Sequence, residues 1–387
     1  MYKILTLNNI SVAGLERLPR DRYEVASEIQ HPDAILLRSY KMHDMEIPPT
    51  LKAVARAGAG VNNIPVDKLT RMGIPVFNAP GANANAVKEL VIAGMLLGAR
   101  NICRAWEFAR GLEGTDAEIS RAVEAGKKQF VGIELPGRTL GVIGLGAIGV
   151  KVCNAAVALG MKVLGYDPEI TVQRAWQLSS QVQQAASVDD LLTRSDFVSV
   201  HVPLVDSTRH MVNAERIAAM PEGAVLLNFA RQGIVDDEAV VQALDDGRLR
   251  AYVCDFPTNL LKDHPRVVTL PHLGASTQEA EENCAVMVVE ELRDYLENGN
   301  IRNSVNFPEV QMPRNGGHRL SVVNANVPNM LGQISTVLAD CGHNIIDMLN
   351  RSRGEIAYTL VDTEKPVEEG CLERLRGIEG VLAVRVI

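Results

Sequence analysis

The sequence predicts an α/β protein built on a doubly wound parallel sheet, and three observations lead to this fold class. Short apolar strands alternate with helical segments along most of the 387 residues, which is typical of parallel α/β units. A glycine-rich turn joins one such strand to a helix within residues 139–167. A segment rich in proline, glycine and asparagine, residues 306–317, precedes a final βαββαβ pattern, which predicts a ferredoxin-like domain.

The first part of the chain predicts a small, flavodoxin-like parallel sheet. A long helix leads out of this sheet and a second long helix leads back, so we expect the first domain to be discontinuous, with residues 1–92 and 280–308. The predicted strands are residues 2–7, 34–38, 51–56 and 74–77, and the predicted helices are residues 66–71, 85–109 and 277–296.

The glycine-rich turn lies in a segment that reads as strand, turn, helix and strand. Gly144 permits the sharp turn after the first strand, and Gly146 lets a ligand approach the backbone because it has no Cβ. Gly149 lets the helix pack closely on the sheet. This order predicts a Rossmann-like dinucleotide-binding domain, which we place at residues 93–279.

Two further features of this segment indicate which dinucleotide it binds. A pyrophosphate would accept hydrogen bonds from the unpaired N–H groups near Ala147 and Ile148, where the helix dipole also favours negative charge. Asp167 ends the following strand, where it can bind the adenosine ribose hydroxyls. Its charge would repel a 2′-phosphate, so we expect NAD rather than NADP.

Composition excludes several classes of protein. The net charge of −8 comes without a basic stripe, which argues against nucleic acid as a partner. The longest apolar run, residues 90–97, is too short for a membrane span, and we expect a cytoplasmic protein. The six cysteines form no C-x-x-C pair, so we expect reduced thiols and no metal site.

Polar residues follow three strands of the predicted dinucleotide domain, at the edge where such a sheet places its ligand. His201 begins the segment HVPL, Arg231 follows an apolar strand, and His272 follows the last strand. A guanidinium can clamp the carboxylate and carbonyl of a 2-oxo acid, and an imidazole can take a hydroxyl proton. Considered alone, Arg231 could equally be a loop residue held by a salt bridge. His272, considered alone, could equally be a helix cap or a packing residue.

Taken together, the segments GLGAIG, HVPL, NFARQGIVD, CDFP and PHLGAST, in this order, resemble the NAD-dependent D-2-hydroxyacid dehydrogenases. The segments LLRS, ARAGAGVNNIPV and FNAPGANANAVKELV narrow the resemblance to the D-3-phosphoglycerate dehydrogenase branch. The resemblance implies NAD-dependent oxidation of 3-phosphoglycerate, the entry to serine synthesis. It also implies a homodimer through the dinucleotide domains, or a homotetramer through paired C-terminal domains.

The resemblance assigns roles to individual residues. Arg231 would bind and polarise the substrate, and His272 would be the acid/base. The substrate's phosphate would bind Arg38 and Ser39, and its carboxylate would bind backbone N–H groups near Ala59 and Gly60. Further residues implied in cofactor contacts are His201, Pro203, Phe229, Ala230, Arg231, Asp255, His272 and Gly274.

One position departs from the family pattern. Where the family carries a glutamate hydrogen-bonded to the catalytic histidine, the segment CDFPTNLLKDH places Asn259. An asparagine can orient an imidazole but cannot offer it a full negative charge. We therefore expect a slower proton-transfer step, unless Asp255 or Asp263 reaches His272.

The C-terminal residues 318–387, after a linker at residues 309–317, resemble an ACT regulatory domain. By this resemblance Asn324, Asn326 and Asn344 match positions that bind a serine effector, although Asn329 replaces the usual glycine of the turn. Asparagine amides can satisfy the carboxylate and ammonium groups of an amino acid. Asparagines in turns are also common capping residues, and the sequence leaves both interpretations open.

Two other functions stay open at this point. A dehydrogenase of another 2-hydroxy acid would share the core and differ in its substrate contacts, although the ACT-like domain argues against it. The second alternative is a protein that senses NAD and has lost catalytic activity. The missing glutamate is consistent with this function, whereas the presence of both Arg231 and His272 argues against it.

Overall fold

The computed structural model describes all 387 residues, which form two compact units. The first unit contains Met1–Asn83 and Gln278–Ile387, and the second contains Ala84–Thr277. No helix combines the length and apolar character that crossing a bilayer requires.

The first unit begins with a five-stranded parallel sheet in the order β2-β1-β3-β4-β5, the flavodoxin-like order. Its side chains form two apolar clusters, to which alternating strand residues contribute, because both faces of a parallel sheet are covered. The elements are β1 (Tyr2–Leu7), α1 (Val12–Leu15), β2 (Tyr23–Ala26), β3 (Ala34–Leu37), β4 (Ala53–Arg56), α2 (Val66–Arg71) and β5 (Val76–Phe77).

The second unit contains a seven-stranded parallel sheet in the order β12-β11-β10-β9-β6-β7-β8, which is the doubly wound arrangement predicted from the sequence. Every residue of β9 and β10 is buried, as expected for central strands covered on both faces. The strands are β6 (Thr139–Ile143), β7 (Lys162–Tyr166), β8 (Val182–Gln184), β9 (Phe197–Val200), β10 (Ala224–Asn228), β11 (Leu249–Cys254) and β12 (Val267–Thr269).

The helices of the second unit include one break that the sequence pattern does not predict. The expected helix at residues 85–109 is divided at Asn101, which adopts a left-handed conformation with φ 52°. The helices are α3 (Ala84–Arg100), α4 (Ile102–Arg110), α5 (Asp116–Gly126), α6 (Ala147–Ala158), α7 (Val172–Ala175), α8 (Val188–Thr193), α9 (Ala214–Ala219) and α10 (Asp237–Asp245), with a 3₁₀ turn at Lys127–Phe130.

The chain then returns to the first unit and ends in an antiparallel sheet in the order β14-β15-β13-β16. With two helices on one face, this is the ferredoxin-like fold predicted for the C-terminal residues. The elements are α11 (Gln278–Asn298), β13 (His318–Ala325), α12 (Met330–Asp340), β14 (Ile345–Arg353), β15 (Ile356–Thr363), α13 (Glu369–Arg376) and β16 (Val381–Val386).

The C-terminal sheet packs within the first unit. Tyr358 of β15 is buried in the same apolar cluster as Phe77 of β5, and its hydroxyl donates to the carbonyl of Gly299 at 2.7 Å. Arg319 is buried in a bidentate ion pair with Asp362. Its guanidinium also donates to carbonyls of residues 298, 312 and 313, so the chain segment before β13 is held against the sheet.

Candidate active site

The three glycines of the turn between β6 and α6 have different surroundings. A Cβ at Gly144, whose φ is +93°, would lie 2.5 Å from the carbonyl oxygen of His201. A Cβ at Gly149 would lie 1.9 Å from the carbonyl oxygen of Gly144. At Gly146 a Cβ would meet nothing within 4 Å, so this position is open to a ligand rather than filled by the protein.

The start of α6 and the end of β7 fit a dinucleotide. Ala147 and Ile148 lie in the first turn of α6, where N–H groups have no helical carbonyl to bind. The Asp167 carboxylate accepts hydrogen bonds from the N–H of Leu145 at 2.8 Å and of Glu169 at 2.9 Å. Asp167 therefore also fixes the turn, and as a half-buried carboxylate it keeps lone pairs for ribose hydroxyls.

The segment after β9 is held beside the glycine turn. Burial lowers the pKa of His201 to about 4, so its imidazole is neutral at pH 7. Its Nε2 lies 2.8 Å from the Ser199 hydroxyl. The Thr208 hydroxyl donates to the carbonyl of Pro203 at 2.5 Å and accepts from the N–H of Val205 at 2.9 Å, which closes the loop.

The loop after β10 is organised by Asn228, which the sequence analysis missed. This buried amide donates to the carbonyl of Arg231 at 2.9 Å and accepts from the N–H of Ala230 at 3.1 Å. Phe229 is buried against α3, where a Cβ at Gly94 would lie 2.8 Å from its ring. The Arg231 side chain is exposed, and its guanidinium donates to the Ala230 carbonyl at 2.7 Å.

A buried carboxylate, that of Asp255, is influenced by the charges of both residues predicted to be catalytic. Asp255 follows β11, is 1% exposed, and neither of its oxygens has a hydrogen-bond partner. Burial raises the pKa of Asp255, while the positive charges of His272 and Arg231 oppose this rise. The ring of Phe256 lies 5.3 Å from that of His272, and a Cβ at Gly274 would lie 3.9 Å from Asp255 Oδ2.

The structure distinguishes between the carboxylates that the sequence left open as partners of His272. Asn259 is exposed in the turn after Phe256, and no hydrogen bond joins it to His272. Asp263 is also exposed and lies 3.8 Å from the ammonium group of Lys262. Of the two carboxylates, Asp255 is the one whose pKa is lowered by the charge of His272, against the rise that burial causes.

The residues predicted to bind the substrate's phosphate line a polar cavity of the first unit. This cavity of about 580 Å³ is bounded by Asn8, Asn9, Arg38 and Ser39. The Arg38 guanidinium forms an ion pair with Glu281 of α11 at 2.8 Å. The cavity thus combines one cation with neutral donors, which suits an anion.

The loop after β4 offers backbone donors. The N–H groups of Ala59 and Gly60 have no partner within the chain, whereas their carbonyls are used. The carbonyl of Ala59 accepts from the Asn78 amide at 2.5 Å, and that of Gly60 accepts from the Arg56 guanidinium. These contacts fix the loop and leave its N–H groups free for a carboxylate.

The three asparagines predicted at an effector site all donate within the chain. Asn324 is buried, donates to the next carbonyl, and its Oδ1 has no partner. Asn326 donates to a carbonyl of the β14–β15 turn, and Asn344 donates to Glu364 at 2.7 Å. Asn329 adopts φ 69°, the left-handed conformation that glycine would supply, so its replacement of that glycine keeps the turn.

Comparison with known proteins shows which family this chain resembles. Residues 102–274 match the family described as "D-isomer specific 2-hydroxyacid dehydrogenase, NAD binding domain". Two relatives named D-3-phosphoglycerate dehydrogenase are similar over most of this chain. That of Haemophilus influenzae is 35% identical over 89% of this chain and 83% of its own length. That of Methanocaldococcus jannaschii is 36% identical over 88% of this chain, which spans only 64% of that protein's length.

Solved structures share the fold. The TT0316 protein from Thermus thermophilus superimposes with a TM-score of 0.63 and 28% identity, over 78% of this chain and 99% of that chain. The Aquifex aeolicus D-lactate dehydrogenase complexed with NAD and lactic acid has a TM-score of 0.59, with 79% and 100% coverage. At 23% identity, the second likeness concerns the fold alone.

Proposed function

Because this chain belongs to the D-isomer specific 2-hydroxyacid dehydrogenases, a family of NAD-dependent enzymes, we propose that it oxidises 3-phospho-D-glycerate to 3-phosphohydroxypyruvate, the first step of L-serine synthesis. The observation that carries the proposal is the buried carboxylate of Asp255, which has no hydrogen-bond partner and whose raised pKa is opposed by the charges of His272 and Arg231. The relatives named D-3-phosphoglycerate dehydrogenase support the choice of substrate.

The proposed chemistry divides between two side chains. Arg231 binds the substrate carboxylate and polarises the oxygen that becomes the carbonyl, since a guanidinium offers paired donors in a fixed fork. His272 takes the hydroxyl proton during oxidation and returns it during reduction. NAD, when bound, would supply the acceptor for the hydride from the carbon that carries this hydroxyl.

Asp255 supplies the counter-charge that Asn259 cannot. When His272 takes the proton, a nearby carboxylate would stabilise the imidazolium that forms. Asp255 is buried and has no hydrogen-bond partner, so solvent screens its charge only weakly. We assign it the role that the family gives to its glutamate.

Residues of the first unit are assigned to the two anionic groups of the substrate. Arg38 and Ser39 line a polar cavity and are assigned to the phosphate. The free N–H groups of Ala59 and Gly60 are assigned to the carboxylate. Arginine with hydroxyl and backbone donors is a combination that recognises such anions well.

The test of the proposed reaction is the reduction of NAD by the purified protein with 3-phosphoglycerate. Turnover by the wild-type protein would support the proposed reaction. A kcat about 10²- to 10⁴-fold lower in a His272→Ala variant would support the role of His272. NAD binding without turnover of 3-phosphoglycerate would contradict the proposed reaction. Turnover of another D-2-hydroxy acid would then identify that acid as the substrate.

We also propose L-serine as an effector of the C-terminal domain. The unpaired, buried Oδ1 of Asn324 is an acceptor without a partner, which an ammonium group would satisfy. Millimolar serine should lower the rate of wild-type enzyme, and an Asn324→Ala variant should not respond. Equal inhibition of both proteins would exclude this site.

A second copy of the chain is the proposed partner of the second unit. α4 buries none of its residues, and Leu96, Ile102 and Trp106 expose apolar surface around a cavity of about 690 Å³. A contiguous apolar patch of this kind is typical of an association surface. Dimerisation through this face agrees with the architecture that the family implies.

A further inference from the structure

The polar cavity bounded by Asn8, Asn9, Arg38 and Ser39 has a rigid backbone. The side-chain Oδ1 of Asn8 accepts hydrogen bonds from the N–H of Ser39 at 3.0 Å and from that of Tyr40 at 2.6 Å. The Arg38 carbonyl in turn accepts from other side chains of the unit. These contacts fix the chain where the Arg38 and Ser39 side chains begin, so the cavity is built before any ligand arrives.

The donors of this cavity are largely unused. Neither the Asn9 amide nor the Ser39 hydroxyl makes a hydrogen bond within the chain, and the Arg38 guanidinium has a single partner. That partner is Glu281, whose Oε1 lies 2.8 Å from Arg38 Nη2. The two side chains are 38% and 44% exposed, so a soluble anion can reach the pair.

A carboxylate on this arginine has a consequence for any anionic ligand. A phosphate that binds Arg38 must displace Glu281 or share the guanidinium with it, and sharing places like charges a few ångströms apart. The neutral donors of Asn9 and Ser39 do not oppose the phosphate in this way. Glu281, through its ion pair with Arg38, thus disfavours a phosphate in the cavity.

We propose that Glu281 competes with the substrate's phosphate for Arg38 and thereby sets the enzyme's affinity for its substrate. The proposal rests on the assignment of Arg38 to the phosphate made under the proposed function. In the free protein Glu281 holds the guanidinium at the cavity; in the complex the phosphate takes its place. Glu281 is a specificity-determining residue and takes no part in proton or hydride transfer.

The test compares Glu281→Gln with Glu279→Gln, a charge-matched control. Glu279 lies in the same first turn of α11, is exposed and has no ion pair, so both variants lose one acidic charge near the helix N-terminus. Glu281→Gln should lower KM for 3-phosphoglycerate about three- to tenfold at low salt with kcat unchanged, because a like charge is removed. Glu279→Gln should leave both constants unchanged.

A second measurement separates this inference from the proposed function. Calorimetric titration of the NAD-free protein with inorganic phosphate does not depend on turnover. Glu281→Gln should bind phosphate about three- to tenfold more tightly than wild type, and Arg38→Ala should lose the binding. Equal phosphate affinity of wild type and Glu281→Gln, or a higher KM in Glu281→Gln, would overturn the inference even if 3-phosphoglycerate is the substrate. Lack of turnover alone would overturn only the proposed function.

Discussion

Asp255 is the residue on which the proposed chemistry depends most. A buried carboxylate without hydrogen bonds is costly, and burial raises its pKa as that cost implies. The positive charges of Arg231 and His272 offset part of the cost. The family resemblance implied that Asp255 contacts the nicotinamide half of the cofactor, and the sequence left Asp255 and Asp263 open as alternatives to the missing glutamate. The burial of Asp255 and its charged neighbours distinguish it from the exposed Asp263.

An Asp255→Asn variant should lose the counter-charge of the imidazolium. We expect kcat to fall about 10- to 100-fold with little change in KM for NAD, and the acid limb of the pH–rate profile for oxidation to move to lower pH, because protonated His272 is no longer stabilised. Steady-state rates between pH 5 and 10 measure this. Asp263→Asn is the control; if it gives the same loss, the assignment of Asp255 is wrong.

Asn259→Glu should have the opposite effect on the same profile. An added carboxylate that reaches His272 stabilises the imidazolium, so the acid limb of oxidation should move to higher pH. The exposed position of Asn259 limits the expected displacement to less than that caused by removal of Asp255. A profile identical to that of wild type would show that residue 259 does not reach the histidine.

Glu291 of α11 predicts a pH dependence of stability unrelated to catalysis. It is 2% exposed, and burial raises its pKa to about 8, although Asn303 donates to it at 2.6 Å. Because the folded pKa exceeds the unfolded one, its stabilisation is complete below about pH 4.5 and is lost as pH rises through 8.

At pH 5, the Glu291→Gln variant should therefore unfold at a denaturant concentration similar to that of wild type. At pH 9 its free energy of unfolding should exceed that of wild type by roughly 2–4 kcal/mol. Urea unfolding at the two pH values measures this. Glu290→Gln, on the exposed side of the same helix and paired with Arg17, should show no such difference. A pH-independent effect of Glu291→Gln would rule out titration of this group.

Among the elements, the β6–α6 turn separates a folding role from a binding role. At Gly149 an added methyl group meets a backbone carbonyl at 1.9 Å, whereas at Gly146 it meets nothing. Gly149→Ala should lower both Tm and NAD affinity. Gly146→Ala should leave Tm within about 2 °C of wild type while weakening NAD at least about tenfold, because the methyl group occupies ligand space. Unaltered NAD affinity in Gly146→Ala would place the pyrophosphate elsewhere.

Elements with a strong apolar period could be predicted from the sequence, and those held by tertiary contacts could not. The C-terminal residues form the four strands and two helices of the predicted βαββαβ pattern, in the predicted order. β2 was missed because its sequence YEVA has a weak apolar pattern and depends on parallel pairing with β1. The break at Asn101 is set by a left-handed residue whose amide faces carbonyls near residue 130, a contact that no local pattern records.

For the whole molecule, the fold class could be predicted from composition and motif order. The environment of single side chains could not be predicted from the sequence. The motif order indicated Arg231, His272 and Asp167 because the chemistry of each residue type is specific. The roles of Asn228, Asn8 and Glu281 emerge only from contacts between segments far apart in the chain. The packing of the C-terminal sheet into the core of the first unit is equally invisible to sequence periodicity.

The apolar surface of α4 predicts the state of association. Trp106 is 60% exposed there, and a buried tryptophan at an interface typically contributes at least about 2 kcal/mol. Trp106→Glu should convert a dimer to a monomer at micromolar concentration in sedimentation experiments. Trp176→Glu, at an 85% exposed tryptophan of the same unit, should remain a dimer. A wild-type monomer would contradict the proposed interface.

The central claim is that this dehydrogenase recognises a phosphorylated 2-hydroxy acid through Arg38. The measurement that tests it most directly is kcat/KM for 3-phosphoglycerate relative to D-glycerate, which lacks the phosphate, in wild type and in Arg38→Ala. We predict a preference of about a hundredfold or more for 3-phosphoglycerate in wild type, most of which Arg38→Ala loses. Equal kcat/KM for the two acids in wild type, or an undiminished preference in Arg38→Ala, would contradict the account.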